Sequence, residues 1–461
     1  MSRTAAAGGR TAAGLPAVGA WVLFDWAAQP YFTLITTFVF APYFATRLAA
    51  DPVAGQALWG YATAAAGLVI ALASPPLGAI ADAAGRRKPW ILAFSVVMVA
   101  ASVALWYAAP GAGNAVILAL VAFAIGTIAV EFATVFTNAM MPDLVPAEKL
   151  GRLSGIGWAT GYAGGLVSLV IALGLLAADP ETGRTLLGLA PLFGLDPATF
   201  AGDRASGPLT AIWYAVFVLP LFLFTPDTPR RMKLGAAVRT GLVDMMATLR
   251  GLGAHANMTR FLIANLAYHD GLVALFAFGG IYAAGTFGWS AIELGLFGIL
   301  LTITGTAGAL AGGSLDDRFG SRTVIFASLV VLVGACLAIV SIDARHVLFV
   351  VEVEPPGGGL FQSAGERAYL VIGAIIGAVA GPLQASSRTL MARLAPPGRM
   401  TQSFGLFALS GKVTSFAGPL AVALVTWGAQ SQRIGVSAII AFFAAGAILI
   451  LRVAAPGPRG A

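Results

Sequence analysis

Twelve stretches of this 461-residue chain are long and apolar enough to cross a bilayer, and that pattern leaves few folds open. A helix needs roughly 20 largely apolar residues to span about 30 Å of hydrocarbon. The stretches run over 18–46, 58–81, 89–109, 114–140, 154–177, 208–225, 259–285, 290–313, 323–342, 368–392, 403–427 and 434–453. The first follows Arg3 and Arg10 as a secretory leader would. It is too long and too aromatic for a leader and ends without a small-residue cleavage site, so it is kept as a span.

Only 10% of the residues are charged, whereas a soluble domain carries about a quarter. Lipid is therefore the main solvent. The 57 glycines and 25 prolines agree, since both are commoner in membrane helices than in soluble ones. A single cysteine, Cys336, excludes an intramolecular disulfide and reads as a small packed residue. The net charge of +7 does not form a stripe for nucleic acid. Most basic residues instead collect in the connections on one side, while Arg47, Arg184, Arg204, Arg345, Arg367 and Arg433 fall on the other. That other side gathers acids, among them Asp51, Asp179, Asp203, Glu352 and Glu366. The positive-inside rule then puts both termini in the cytoplasm, in a multi-pass protein of a bacterial inner membrane. The longest inner connection, 226–258, begins Thr-Pro-Asp-Thr-Pro-Arg-Arg and continues as a partly amphipathic stretch over 235–252. It reads as a solvated linker on the inner leaflet between halves 1–225 and 259–461. The outer segment 186–195 is too short to span and is expected as a hairpin or surface helix.

The two halves repeat. Gly78, Asp82, Gly85 and Arg87, between the second and third spans, recur as Gly313, Asp317, Gly320 and Arg322, between the eighth and ninth. The common offset is 235. Met141, Leu144, Pro146, Gly155 and Gly161 recur at an offset of 250 as Met391, Leu394, Pro396, Gly405 and Gly411, the difference falling in the enlarged outer loop 343–367. Two parallel six-span repeats are an architecture of alternating-access carriers. The glycines permit a tight turn and close helix approach, and an Asp there can pair with Arg or cap a neighbouring helix.

This loop pattern resembles the signature of the major facilitator superfamily. The resemblance implies an all-α fold of two pseudo-symmetric six-helix bundles, with Asp82, Arg86 and Arg87 forming a charge relay that holds the cytoplasmic gate shut. Further stretches resemble one branch, the autophagy-related vacuolar amino-acid effluxers and their bacterial relatives. They are Phe24-Asp25-Trp26-Ala27, Asn138 to Asp143, Ser154 to Tyr162, Tyr268-His269-Asp270-Gly271, Gln384 to Arg388 and Phe404 to Lys412. Two departures stand where substrate would be read: Ala28-Gln29-Pro30 replaces a small polar run, and His269 replaces an Asn.

Ionisable residues at mid-bilayer cost about 2.5–3.5 kcal/mol each on insertion scales, so they are functional candidates by default. Asp25, Glu131, His269, Asp270, Arg388 and Lys412 qualify, with Gln384 beside them. Glu131 and Lys412 each lie nine residues from a span end, roughly 13 Å deep. Counting His as neutral, three acids face two bases. Such a cavity suits proton or cation coupling, because desolvation raises a carboxyl pKa toward physiological pH. Glu131 or Asp270 is expected to carry the proton, and Lys412 with Arg388 to face a substrate carboxylate. The alternative is that Glu131–Lys412 and Asp25–Arg388 are permanent structural pairs.

No phosphate-cradling loop, zinc-protease motif or filter repeat is present, which argues against a pump, a membrane enzyme or a channel. The expectation is a monomeric secondary carrier of a small polar organic solute, an amino acid or similar, without cofactor or metal. A drug, metabolite or sugar carrier of the same fold is the alternative.

Overall fold

In a bilayer each backbone N–H and C=O must find its partner inside the segment, and a helix is the simplest solution. The computed structural model describes residues 7, 12–251, 253, 255–354 and 359–454. Arg3, Arg10 and Leu252 lie outside the described residues. Among those residues, 11 helices are long and apolar enough to span. The remaining predicted span is also helical but broken, which completes the twelve.

That first span is α1 (Leu15–Pro30), continued by π turns over Tyr31–Phe38, a short helix Phe40–Tyr43 and π turns over Phe44–Leu48. The hydroxyls of Thr36 and Thr37 both turn back onto Phe32 O just after Pro30, which disturbs the regular ladder. The next five helices are α2 (Pro52–Ala84), α3 (Lys88–Ala104), α4 (Ala115–Met140), α5 (Leu150–Ile171) and α6 (Ser206–Phe224). The linker forms α7 (Leu234–Arg250). Then come α8 (Ala256–Phe287), α9 (Ala291–Phe319), α10 (Ser321–Val340) and α11 (Ala364–Leu394). The eleventh span is divided into α12 (Met400–Lys412) and α13 (Ala417–Ala429), and α14 (Gln432–Ile450) ends the bundle.

The eleventh span is interrupted between α12 and α13. Over 413–416 the chain forms a turn, closed by Ser415 N to Lys412 O (3.3 Å) and Ala417 N to Thr414 O (2.6 Å). Pro419, which has no N–H, stands just beyond it.

Polar caps set several helix starts, and α2 and α11 begin earlier than hydropathy alone suggests. Asp51 accepts from the amides of Val53 and Ala54 at 2.9 Å and starts α2. Ser290 with Glu293 and Ser363 with Glu366 form capping boxes on α9 and α11. Glu366, expected in the outer loop, is thus buried in the first turn of α11, where it also accepts from Trp289 Nε1 at 3.0 Å. In the segment after α5, expected on the outer side, Ala178 pairs with Thr185 as a one-bridge hairpin, and Leu192–Gly194 makes a single 3-10 turn. The enlarged loop before α11 carries a two-stranded ribbon, β1 (His346–Val347) against β2 (Val351–Glu352).

The chain divides into two compact units that are not its sequence halves. One comprises Met1–Pro146, Thr160–Met245 and Pro397–Gly405; the other comprises Ala147–Ala159, Met246–Pro396 and Leu406–Ala461. Each unit thus includes the opening turns of one helix from the other half of the sequence. Trp21, Tyr31, Phe24 and Tyr214 are buried in the first unit, and Tyr268, Tyr369, Phe261 and Phe443 in the second.

Candidate functional site

The opening turns of α12 sit in the first unit because α2 caps them. Asp82, two residues before the end of α2, accepts from the main-chain amides of Thr401 (3.1 Å) and Gln402 (2.9 Å). These are among the amides that a helix N-terminus leaves without an intrahelical partner. Backbone closeness is enforced by glycine: a Cβ on Gly78 would lie 2.8 Å from Gln402 Cα, and one on Gly405 would lie 2.8 Å from Pro75 Cα.

The second unit repeats the arrangement with the repeat's own offsets. Asp317 of α9 accepts from Gly151 N (2.8 Å) and Arg152 N (3.0 Å) at the start of α5. Residues 151 and 152 are 401 and 402 less 250, and 317 is 82 plus 235. A Cβ on Gly155 would lie 2.8 Å from Gly313 Cα, matching the contact of Gly405 with its neighbours on α2. Gly85 and Gly320 both hold positive φ, +96° and +83°, which a side chain would strain.

Charges brace both caps, with reversed polarity. Arg87 donates to Asp143 Oδ2 (2.8 Å) and to Thr401 Oγ1 (3.1 Å), and lies 3.9 Å from Asp82. At the position equivalent to Asp143 stands Arg393, paired with Asp316 at 2.6 Å and lying 3.6 Å from Asp317. Arg86, expected in the relay with Asp82 and Arg87, is exposed, and the ion pairs to Asp82 and Asp143 are made by Arg87. Arg322 donates instead to Leu451 O at 2.8 Å.

The start of the linker is fastened to the end of α2 and the start of α3. Asp227 caps α3 by accepting from Arg87 N (2.9 Å) and Lys88 N (3.3 Å). Arg231 N reaches Ala84 O at 2.9 Å, and Thr228 Oγ1 bonds Gly85 O. A Cβ on Gly85 would run into the Pro229 carbonyl. Asp227 was visible in the sequence only as part of a Pro-rich turn.

Deeper in the second unit, three of the quoted stretches converge. Tyr268 OH and Ser387 Oγ are 2.7 Å apart, and Asn265 donates to Ser410 at 2.9 Å. The His269 ring lies 3.4 Å from where a Gly411 Cβ would be. Asp270, only 1% exposed, has an Oδ1 without a hydrogen-bond partner. Beside it is Thr414, in the turn that breaks the eleventh span. A Cβ on Gly418 would meet the Asp270 carbonyl carbon at 2.9 Å, so the broken helix is pressed against α8 here. Thr414 carried no signal in the sequence beyond being a small polar residue in an apolar span, whereas Ser387 stood within the Gln384 to Arg388 stretch.

Arg388 on α11 is buried, and its guanidinium donates to Ser154 Oγ (2.8 Å) and Ser154 O (2.7 Å), with the Trp158 ring 5.8 Å away. Gln384 Nε2 donates to Ala380 O at 3.3 Å. Lys412 ends α12, half-buried, immediately before the break. In the first unit, Asp25 on α1 and Glu131 on α4 are half-buried, and Asp25 packs its backbone against Gly161. Its neighbour Trp26 stacks on Trp213 at 5.3 Å and accepts from Trp213 Nε1 at 3.0 Å. Among the described residues, no three His, Cys, Asp or Glu side chains converge as a metal site would require.

This geometry has recognisable relatives. A family model described as vacuole effluxer Atg22 like matches residues 47–152 and 146–459. The chain belongs to that family. A MFS-type transporter of Bacillus subtilis, YxiO, is 23% identical over 93% of each chain. Autophagy-related protein 22 of Cryptococcus neoformans is 29% identical over 60% of this Atg22-like chain, and the match spans about half (47%) of the fungal protein. Among solved structures, the human organic anion transporter MFSD10 superposes with a TM-score of 0.65 at 18% identity, covering 94% of this chain and 99% of its own. FucP in the outward conformation gives 0.68 at 14% identity, covering 95% and 98%. At such identities the likeness establishes the fold, that of the major facilitator transporters. The family member is thus a multi-pass membrane transporter and not an enzyme.

Proposed function

We propose that this transporter is a secondary carrier of a small polar organic solute, an amino acid or similar, working by alternating access and coupled to protons. It would act as a monomer in a bacterial inner membrane with both termini cytoplasmic, the orientation that the placement of its Lys and Arg residues favours. The carrying observation is the pair of equivalent caps, Asp82 on the start of α12 and Asp317 on the start of α5. Each is a carboxylate on a helix end supported by glycine packing. Caps of this kind are worth about 0.5–2 kcal/mol, so they can latch one state and still release it. On this reading the caps would hold the cytoplasmic ends closed, and inward opening would require both to part. The halves 1–225 and 259–461 would then rock about a midplane cavity.

Coupling is assigned to the intramembrane carboxylates. Asp270 is favoured over Glu131, because its buried Oδ1 lacks a partner and can take up a proton without breaking an existing bond. Lys412 and Arg388 supply positive charge for a solute carboxylate, Arg388 being aimed by Ser154. His269 and Gln384 are read as neighbours of this site, and Asp25 as its counterpart on α1.

The test is transport in proteoliposomes, after a thermal-shift screen of purified protein led by amino acids. A saturable counterflow and an accumulation driven by a pH gradient are expected. Asp270→Asn should keep counterflow and lose the pH-driven accumulation, while Lys412→Met should lose both. Uptake unchanged in Lys412→Met, Glu131→Gln and Asp270→Asn alike would sink the assignment of these sites.

A further inference from the structure

We propose that α7, the linker helix, is an interfacial helix that binds anionic phospholipid headgroups on the cytoplasmic surface. The helix shows three different faces. One is docked: Ala237 is fully buried against Ile80 and Ala83 of α2, and a Cβ on Gly241 would fall 2.6 Å from Ile80 Cα. This contact and the Asp227 to Arg231 strap hold the first turns of α7 against α2.

The second face is apolar and uncovered. Leu234, Val238, Leu242 and Met246 stand at intervals of four residues and are 55%, 38%, 47% and 47% exposed. At about 100° per residue they form one oblique row along the helix. Val243, 63% exposed, widens the row on the side away from the docked face. A water-facing linker would have no use for such a row, which in water is a liability.

The third feature is charge. Arg239 and Arg250 project beyond the row on the side opposite the docked face, and Arg230, Arg231 and Lys233 lead into the helix; all five are exposed. Asp244 is the only acid between 230 and 250. An apolar row edged by arginines matches the boundary between acyl chains and phosphate, where the row enters the lipid and the guanidinium groups reach headgroup oxygens. Two flanks of the connection are membrane-spanning helices, α6 and α8, which hold it at that boundary. The source of the negative charge is taken to be lipid rather than a protein partner, because the basic residues border an apolar row of lipid-insertion type and the segment is tethered at both ends to membrane spans.

Full-length protein carrying Val243→Cys with an environment-sensitive fluorophore, reconstituted into nanodiscs, tests this without measuring transport. The sole native thiol, Cys336, is buried and contributes little background. In nanodiscs containing phosphatidylglycerol the probe is expected to be blue-shifted and quenched by lipids spin-labelled near the headgroup. In pure phosphatidylcholine both signals should be weaker. Arg239→Gln with Arg250→Gln should weaken the dependence on anionic lipid by at least fivefold, at unchanged thermal stability in detergent. Raising the salt should act in the same direction. A probe that is equally shifted in anionic and neutral nanodiscs, or unquenched in both, would overturn the proposal. So would a shift that persists in lipid-free detergent, since another protein surface would then be covering the row. Should the labelled variant fold poorly, titrating soluble phosphatidylglycerol against wild-type protein and following its thermal unfolding gives the same decision: stabilisation lost in the double arginine variant supports it, and equal stabilisation in both refutes it.

Discussion

The carboxylate of Asp317 accepts the main-chain N–H of Gly151 at 2.8 Å, and Asp82 does the same for Thr401, the residue 250 positions later. Two internal repeats that differ in sequence have this cap in common, down to both of its amides. Removing either cap should therefore have similar effects. Asp82→Ala and Asp317→Ala are each expected to cost about 1–2 kcal/mol, since orphan amides lose their acceptor, and Asp→Asn less, because it keeps the oxygen. Thermal unfolding in detergent, read as a rate, checks the ranking, and transport should fall most in the double Ala variant.

How much of this was legible in the sequence depends on the kind of information each feature carries. The spans and the repeat were legible, because hydropathy reports lipid contact and the glycines and Asp82 must recur where backbones touch. What escaped were partners set by tertiary approach. Arg393 differs in charge from its counterpart Asp143, so its pairing with Asp316 does not show as a repeat. Asp227 caps a helix that starts 139 residues earlier, beyond any local capping pattern. The break after Lys412 is also silent, since Val413 to Phe416 is no more polar than a continuous helix would allow. Glu366 looked like an outer-loop acid only because its Ser363-x-x-Glu capping box was passed over.

The reversed polarity of the two bracing pairs makes a prediction of its own. Breaking Arg87–Asp143 by Arg87→Ala or Asp143→Ala should be strongly destabilising, about 3–5 kcal/mol for a largely buried pair. Exchanging the charges, Arg87→Asp with Asp143→Arg, should recover at least about 1 kcal/mol of coupling, though not the bond to Thr401. A double-mutant cycle on unfolding gives the number; a cycle that closes at zero would show that the pair is incidental.

Glycine at the crossing positions should be intolerant of branching. Gly155→Val and Gly405→Val place atoms into the backbones of α9 and α2, which cannot rotate away as a side chain could. Overpacking of this kind costs about 1–3 kcal/mol. Both variants should show reduced transport together with greater labelling of engineered thiols on the cytoplasmic side. Gly60→Val, where nothing lies within 4 Å, should be silent in both assays.

In the loop between α10 and α11, Asp343 accepts from the amides of Arg345 (2.8 Å) and His346 (2.7 Å) and pairs with Arg433 at 3.2 Å. Partial burial pushes its carboxyl up, but these hydrogen bonds and the His346 ring outweigh that and hold it below the usual carboxylate range. A folded-state value below the unfolded one gives stability that is present above the unfolded pKa, about 3.9, and lost as pH falls through the folded one. Asp343→Asn should therefore cost less than about 1 kcal/mol at pH 7, this being a partly exposed site, and the difference should shrink below about pH 4. Paired unfolding curves across pH 3–7 would check it.

The decisive measurement is of whether the Asp82 cap makes and breaks. Spin labels at Arg86→Cys and Pro397→Cys, both exposed and each four residues from a partner in the cap, report its distance by pulsed electron resonance, with the buried Cys336 left unlabelled. Alternating access predicts two distance populations whose ratio shifts with pH or a transported solute, the shorter one depleted in Asp82→Ala. A single population that none of these conditions moves would contradict it.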